Sequence, residues 1–174
     1  MGVETKTFIP LEEYLHTDYS PDCDYVDGEL VERNVGEFDH ADLETEIGHY
    51  FRGRYRKAGF KAVVEQRVQV ASTRFRVPDV CVARAERPMP QIFRNPPIIA
   101  IEILSPEDRL SVVRKKIDDY LAFGIPNIWV IDPQERRAFI CTRGGWAEST
   151  DLILRSTDGA IVLPLPEIFA ALDQ

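Results

Sequence analysis

The sequence predicts an α/β (α+β) fold, a central mixed β-sheet flanked by helices, with a helix and a hairpin at its N-terminal side. One observation behind this is the order of segments: helix, hairpin, helix, three strands, helix, strands. Another is hydrophobic periodicity, helical over residues 106–123 and alternating, at least in part, in the strand-like runs. The third is composition, since 44% hydrophobic and 29% charged residues are those of an ordinary globular chain. At 174 residues the chain is expected to form a single domain, residues 1–174.

The elements follow in order. "LEEYL" (11–15) reads as a short helix ended by the turn-rich "DYSPDCD". "YVDGELVER" (25–33) reads as a hairpin, with Asp27-Gly28 supplying its turn. A helix is expected from Asp39, as N-cap, to about Ala58, with Gly59 as its stop. "AVVEQRVQV" (62–70), "FRVPDVCVA" (75–83) and "PPIIAIEIL" (96–104) each read as a strand. Residues 106–123 are helical by periodicity, stopped by Gly124 and Pro126. "NIWVIDP", "RAFICTR" and "WAEST" read as a closing strand and hairpin, and "LPLPEIF" opens a short terminal helix.

Several classes are set aside by composition. The start "MGVETKTFIP" carries no apolar block, so a secretory signal is not expected. The longest apolar run is far short of the roughly 20 residues of a membrane helix. Three widely spaced cysteines (Cys23, Cys81, Cys141) form no CxxC pair, which points to a reducing, cytoplasmic setting without disulfides or structural zinc. A net charge of −8 weighs against strong nonspecific nucleic-acid binding.

One apolar strand holds an acid. In "IIAIEIL" alternation places Ile98, Ala100, Glu102 and Leu104 on one face, opposite Ile99, Ile101 and Ile103. In "RVPDVCVA" it places Asp79 with Val77, Cys81 and Ala83. A buried carboxylate needs a partner or a metal. If the two strands are neighbours, Asp79 and Glu102 converge, and two hard oxygen donors with room for water suit Mg²⁺. On the following helix Leu110, Val113, Ile117 and Leu121 form the expected buried stripe. Lys115 then faces solvent, and Lys116 on the flank can bring its ammonium over the sheet. Two carboxylates and a lysine suit metal-dependent phosphodiester hydrolysis. The same residues also fit a buried Glu102 paired structurally with Lys116 or an arginine.

These residues make the chain recognisable. "YVDGELVE", His40 opening its helix, "RVPDVCV", "IEILSPEDR", "KIDDYLAFGIPNIWVIDP" and "LPLPEIF" together resemble the Uma-type restriction endonucleases of the PD-(D/E)XK nuclease superfamily. The resemblance implies a restriction-endonuclease-like core and a Mg²⁺-dependent DNA endonuclease, with Mn²⁺ as a possible substitute. It implies Asp79 and Glu102 as the acidic pair and the Ile103 carbonyl as a further metal ligand. The lysine expected two places after the glutamate is Leu104 here, and Lys116 matches the position to which this family moves it. Glu29 matches the family's hairpin glutamate, which could reach the metal or be an exposed charge beside the turn. His40 could contact phosphate, support the site or be a satisfied core residue. Nucleases of this kind commonly act as homodimers on DNA.

Other readings stay open. The run "RGRYRK" (52–57) could meet phosphate or be a solvated helix end. The chain could be a non-catalytic assembly module that keeps the fold, or a metal-dependent phosphodiesterase on RNA or small phosphoesters.

Overall fold

The computed structural model describes residues 8–33 and 37–173. The opening residues used above to argue against a signal, 1–7, lie outside it. Among the described residues the strands form three sheets.

The N-terminal part is built on a hairpin. Helix α1 (Leu11–His16) leads into β1 (Cys23–Val26) and β2 (Glu29–Glu32), joined at Asp27 and Gly28. Both turn residues have positive φ, 51° and 97°, as a tight primed turn requires. A Cβ on Gly28 would fall 2.1 Å from the Phe8 ring, so close approach also demands glycine. β1 pairs onward with β5 (Arg74–Arg76), and β5 with β4 (Val68–Ala71), giving a small antiparallel sheet in the order β2-β1-β5-β4. Tyr14, Tyr25 and Phe75 form its aromatic core.

The large sheet runs β10-β9-β8-β7-β6-β3. Its strands are β3 (Phe60–Val64), β6 (Val80–Arg84), β7 (Ile99–Ile103), β8 (Asn127–Asp132), β9 (Arg137–Thr142) and β10 (Gly145–Glu148). β7 and β8 are parallel and the other pairs antiparallel, so the sheet is mixed as expected. A parallel pair needs a crossover, and α3 (Leu110–Phe123) supplies it. Gly124, left-handed at φ 94°, ends that helix with its N–H on the Tyr120 and Leu121 carbonyls.

Strand alternation then sorts the core. Val80, Val82, Ile99, Ile101 and Ile103 pack on one face with Leu43, Ile47 and Phe51 of α2 (Phe38–Tyr55) and with α4 (Leu165–Phe169). Cys81, Ala100, Ile128 and Val130 pack on the other face under Val113, Ile117 and Tyr120 of α3. Each Val, Leu, Ile or Phe among them contributes about 1.5–3 kcal/mol when buried. A short pair, β11 (Ile153–Arg155) with β12 (Val162–Pro164), closes the first face.

Five expectations are corrected. Residues 62–70 are two strands in different sheets, because the chain turns at Glu65 with φ 48°. Residues 75–83 are likewise split, with Val77, Pro78 and Asp79 outside regular strand, so Asp79 lies where the chain passes from the small sheet to the large one. Helix α2 begins at Phe38 after Glu37, not at an Asp39 cap, and buries Leu43, Ile47 and Phe51. Helix α3 starts at Leu110, because Asp108 caps a turn at Ser105 through the Ser105 N–H at 2.7 Å. Leu110 is 55% exposed, and Lys116 and Tyr120 take its place in the buried stripe.

Candidate active site

A cleft of about 440 Å³ opens where the two sheets meet the start of α3. Asp79, Glu102, Ile103, Lys116 and His40 all line it. The acids come from the sheet crossing and from β7, the lysine from α3 and the histidine from α2. Glu29 is not among the residues that line it. The cleft meets the open end of the hairpin, at Asp24, Val31, Glu32 and Arg33, whereas Glu29 stands beside the turn opposite Val26. The hairpin acids brought to the cleft are therefore Asp24 and Glu32.

Asp79 is almost wholly buried, at 3% exposure. Its Oδ2 accepts the Ile103 backbone N–H at 2.7 Å and lies 3.4 Å from His40 Nε2. Its Oδ1 accepts an N–H of Arg33, whose other terminal nitrogen donates to Glu65 at 3.0 Å. Burial alone would raise the Asp79 pKa. His40, Lys116 and Arg33 outweigh it and hold the carboxyl down to about 2. His40 shows the reverse balance, with desolvation opposed and exceeded by Asp79, so its pKa is raised.

Glu102 is clamped on both oxygens. Lys116 Nζ donates to Oε2 at 2.5 Å and the Tyr120 hydroxyl donates to Oε1 at 2.6 Å. These three side chains lie on the sheet face that alternation assigned to Glu102, and Lys115 is exposed as expected. Burial, together with the Asp79 charge, raises the Glu102 pKa to about 7 against the pull of Lys116 and Tyr120. Lys116 keeps its proton, because Glu102, Asp24 and Asp79 outweigh its desolvation.

A buried ion network ties the site to the hairpin. Asp24 accepts from the Val77 N–H at 2.8 Å and from Arg76 at 3.0 Å, and lies 4.0 Å from Lys116 Nζ. Arg76 also reaches Asp119 on α3 at 2.6 Å. Sequence reasoning missed Arg33, Asp24, Arg76 and Tyr120 as parts of the site. Tyr120 had a signal, since it lies four residues after Lys116 and so on the same helix face. Glu44, one turn beyond His40, has a buried oxygen without a hydrogen-bond partner among the described residues, and burial raises its pKa to about 7.

The donor chemistry fits a hard divalent cation. Two carboxylates and the end of β7 offer oxygen, and an ion such as Mg²⁺ leaves its other positions to water and phosphate. Among the described residues no three His, Cys, Asp or Glu side chains are arranged to hold a metal by themselves. Cys23, Cys81 and Cys141 are free and buried. The 52–57 run does not line the cleft.

A mixed sheet with a parallel βαβ crossover is the architecture of a restriction-endonuclease-like fold. The sequence profile of the Uma2 family, described as "Putative restriction endonuclease", matches residues 11–172. The chain belongs to that family. A crystal structure from Anabaena variabilis ATCC 29413, described as "a putative nuclease belonging to DUF820", superposes with a TM-score of 0.81 at 24% identity, covering 94% of this chain and 99% of that one. The DrdV–DNA complex superposes with a TM-score of 0.43 at 14% identity, over 74% of this chain and 10% of that one. Curated proteins gave no match. No helix among the described residues is long and apolar enough to cross a membrane.

Proposed function

We propose that this chain is a Mg²⁺-dependent DNA endonuclease, with Mn²⁺ as a substitute ion, acting as a homodimer in which each subunit cuts one strand. The observation that supports this reading is the meeting of Asp79, Glu102 and Lys116, from three separate elements, in one cleft. Asp79, Glu102 and the carbonyl of Ile103 would hold the ion. Bound there, it would polarise the phosphate and lower the pKa of a water. Lys116, already protonated and anchored on Glu102, would orient the attacking water or offset charge on the phosphate. His40 would keep Asp79 ionised and aimed. Glu29, away from the cleft, carries no part in this proposal.

The test is plasmid nicking with Mg²⁺ or Mn²⁺ by the parent, Asp79→Ala and Lys116→Ala chains. Cleavage by the parent and its loss in both variants is expected. Equal cleavage by all three would overturn the reading.

One observation favours a second reading, a non-catalytic module. Every oxygen of Asp79 and Glu102 already has a protein partner, as in a purely structural network. Calorimetry separates the two: Mn²⁺ binding by the parent and not by Glu102→Ala supports the nuclease.

A further inference from the structure

If Asp79 holds a divalent ion, as proposed above, it must first release a cation it already has. Its Oδ1 is occupied by Arg33, the last described residue before position 37. A carboxylate so deeply buried cannot stand ionised without a positive neighbour. Arg33 supplies that charge, and burial lowers its affinity for a proton less than Asp79, Glu102 and Glu65 raise it.

Two cations cannot share that oxygen cheaply. The two basic side chains nearest the acid pair differ in what they could do. Lys116 is the deeper, 7% exposed, fixed by Glu102 with the Val77 carbonyl and Asp24 behind it. Arg33, its side chain 12% exposed, divides its guanidinium between two acids, buried Asp79 and Glu65, whose side chain is 56% exposed. Glu65 is a second anchor that keeps a released guanidinium beside the cleft.

We infer that Arg33 is a resident counter-ion exchanged for the divalent cation: it holds Asp79 while the cleft is metal-free and withdraws toward Glu65 when the ion binds. Metal uptake is then a swap of charges, and Arg33 sets the threshold ion concentration. A hydrogen bond to a charged group corresponds to about a tenfold to hundredfold change in an equilibrium constant, which sets the expected size.

The experiment is Mn²⁺ calorimetry on the parent, Arg33→Gln, Arg33→Lys and Asp79→Ala chains, each shown folded by circular dichroism. Arg33→Gln is expected to bind Mn²⁺ about tenfold to hundredfold more tightly than the parent, and Arg33→Lys within about threefold of it. Binding lost in Asp79→Ala yet equal in parent and Arg33→Gln would overturn the exchange while leaving the metal reading intact. Absence of binding in both parent and Arg33→Gln would overturn the metal reading and the exchange with it. A measurement on the parent needs no variant that folds poorly. The Arg33 side-chain N–H resonance should move on Mg²⁺ addition while that of Arg76, held by Asp24 and Asp119, stays. An unmoved Arg33 signal at saturating Mg²⁺ would overturn the exchange.

Discussion

The Tyr120 hydroxyl donates to Oε1 of Glu102 at 2.6 Å, both groups being buried beneath α3. Lys116, four residues earlier on that helix, takes Oε2. A single helical face therefore holds the carboxylate in one rotamer. Tyr120→Phe removes one bond and leaves a charged oxygen without its donor, so the fold should lose about 1–3 kcal/mol in urea titration. An unchanged midpoint would show that water replaces the hydroxyl.

Removal of Lys116 should do more. Lys116→Met strands an acid in an apolar setting, at an expected cost of about 3–5 kcal/mol. Lys116→Met combined with Glu102→Gln removes both charges and should recover most of that loss. If the double variant is as unstable as the single one, packing and not charge decides the site.

Stability should fall as pH rises across the neutral range. Glu102 and Glu44 have folded pKa values raised to about 7, above their usual 4.5, so the native state holds more protons than the unfolded chain between those values. His40 acts in the same direction, because its raised pKa stabilises the fold below its unfolded value and that gain is lost as pH passes the folded one. Asp79, held to about 2, contributes throughout this window and loses its part only in strong acid. Melting temperature of the metal-free chain should therefore be higher at pH 5.5 than at pH 8. A rise with pH over that interval would contradict the burial of both glutamates. If Mn²⁺ binds the ionised site, its stabilising effect should be larger at pH 8 than at pH 5.5.

The hairpin acids should separate cleanly. Asp24→Ala leaves the buried Arg76 guanidinium with Asp119 as its remaining acid and frees the Val77 N–H, and should cost about 1–3 kcal/mol. Glu29→Ala, beside the turn, should cost under about 1 kcal/mol and leave Mn²⁺ binding unchanged. Loss of Mn²⁺ binding in Glu29→Ala would restore the hairpin glutamate to the site.

Period-two and period-3.6 patterns are local, and what they encode was legible. They place Glu102 and Cys81 on the α3 side of the sheet, and they single out Lys116 over Lys115. The fold class followed from the order of elements. The split of residues 62–70 and 75–83 was hidden because apolar, strand-forming residues flank each break closely, Val64 and Val68 in one run and Val77 and Val80 in the other, so each run reads as a single strand. The polar run Glu65-Gln66-Arg67 interrupts the apolar pattern without announcing a change of sheet, and Pro78 alone does not say which sheet comes next. Arg33 and Asp79 are 46 positions apart, and Arg76 and Asp24 are 52 apart. An ion pair at that separation has no period, so only the folded arrangement reveals it.

Asp79 belongs to the short connector by which the chain leaves one sheet and enters the other, and its side chain grips the last residue of β7. It thus works as a rivet through the seam of two plates. Any tilt of one plate would be felt at the carboxylate first, so the spacing of the acids records the alignment of the whole body.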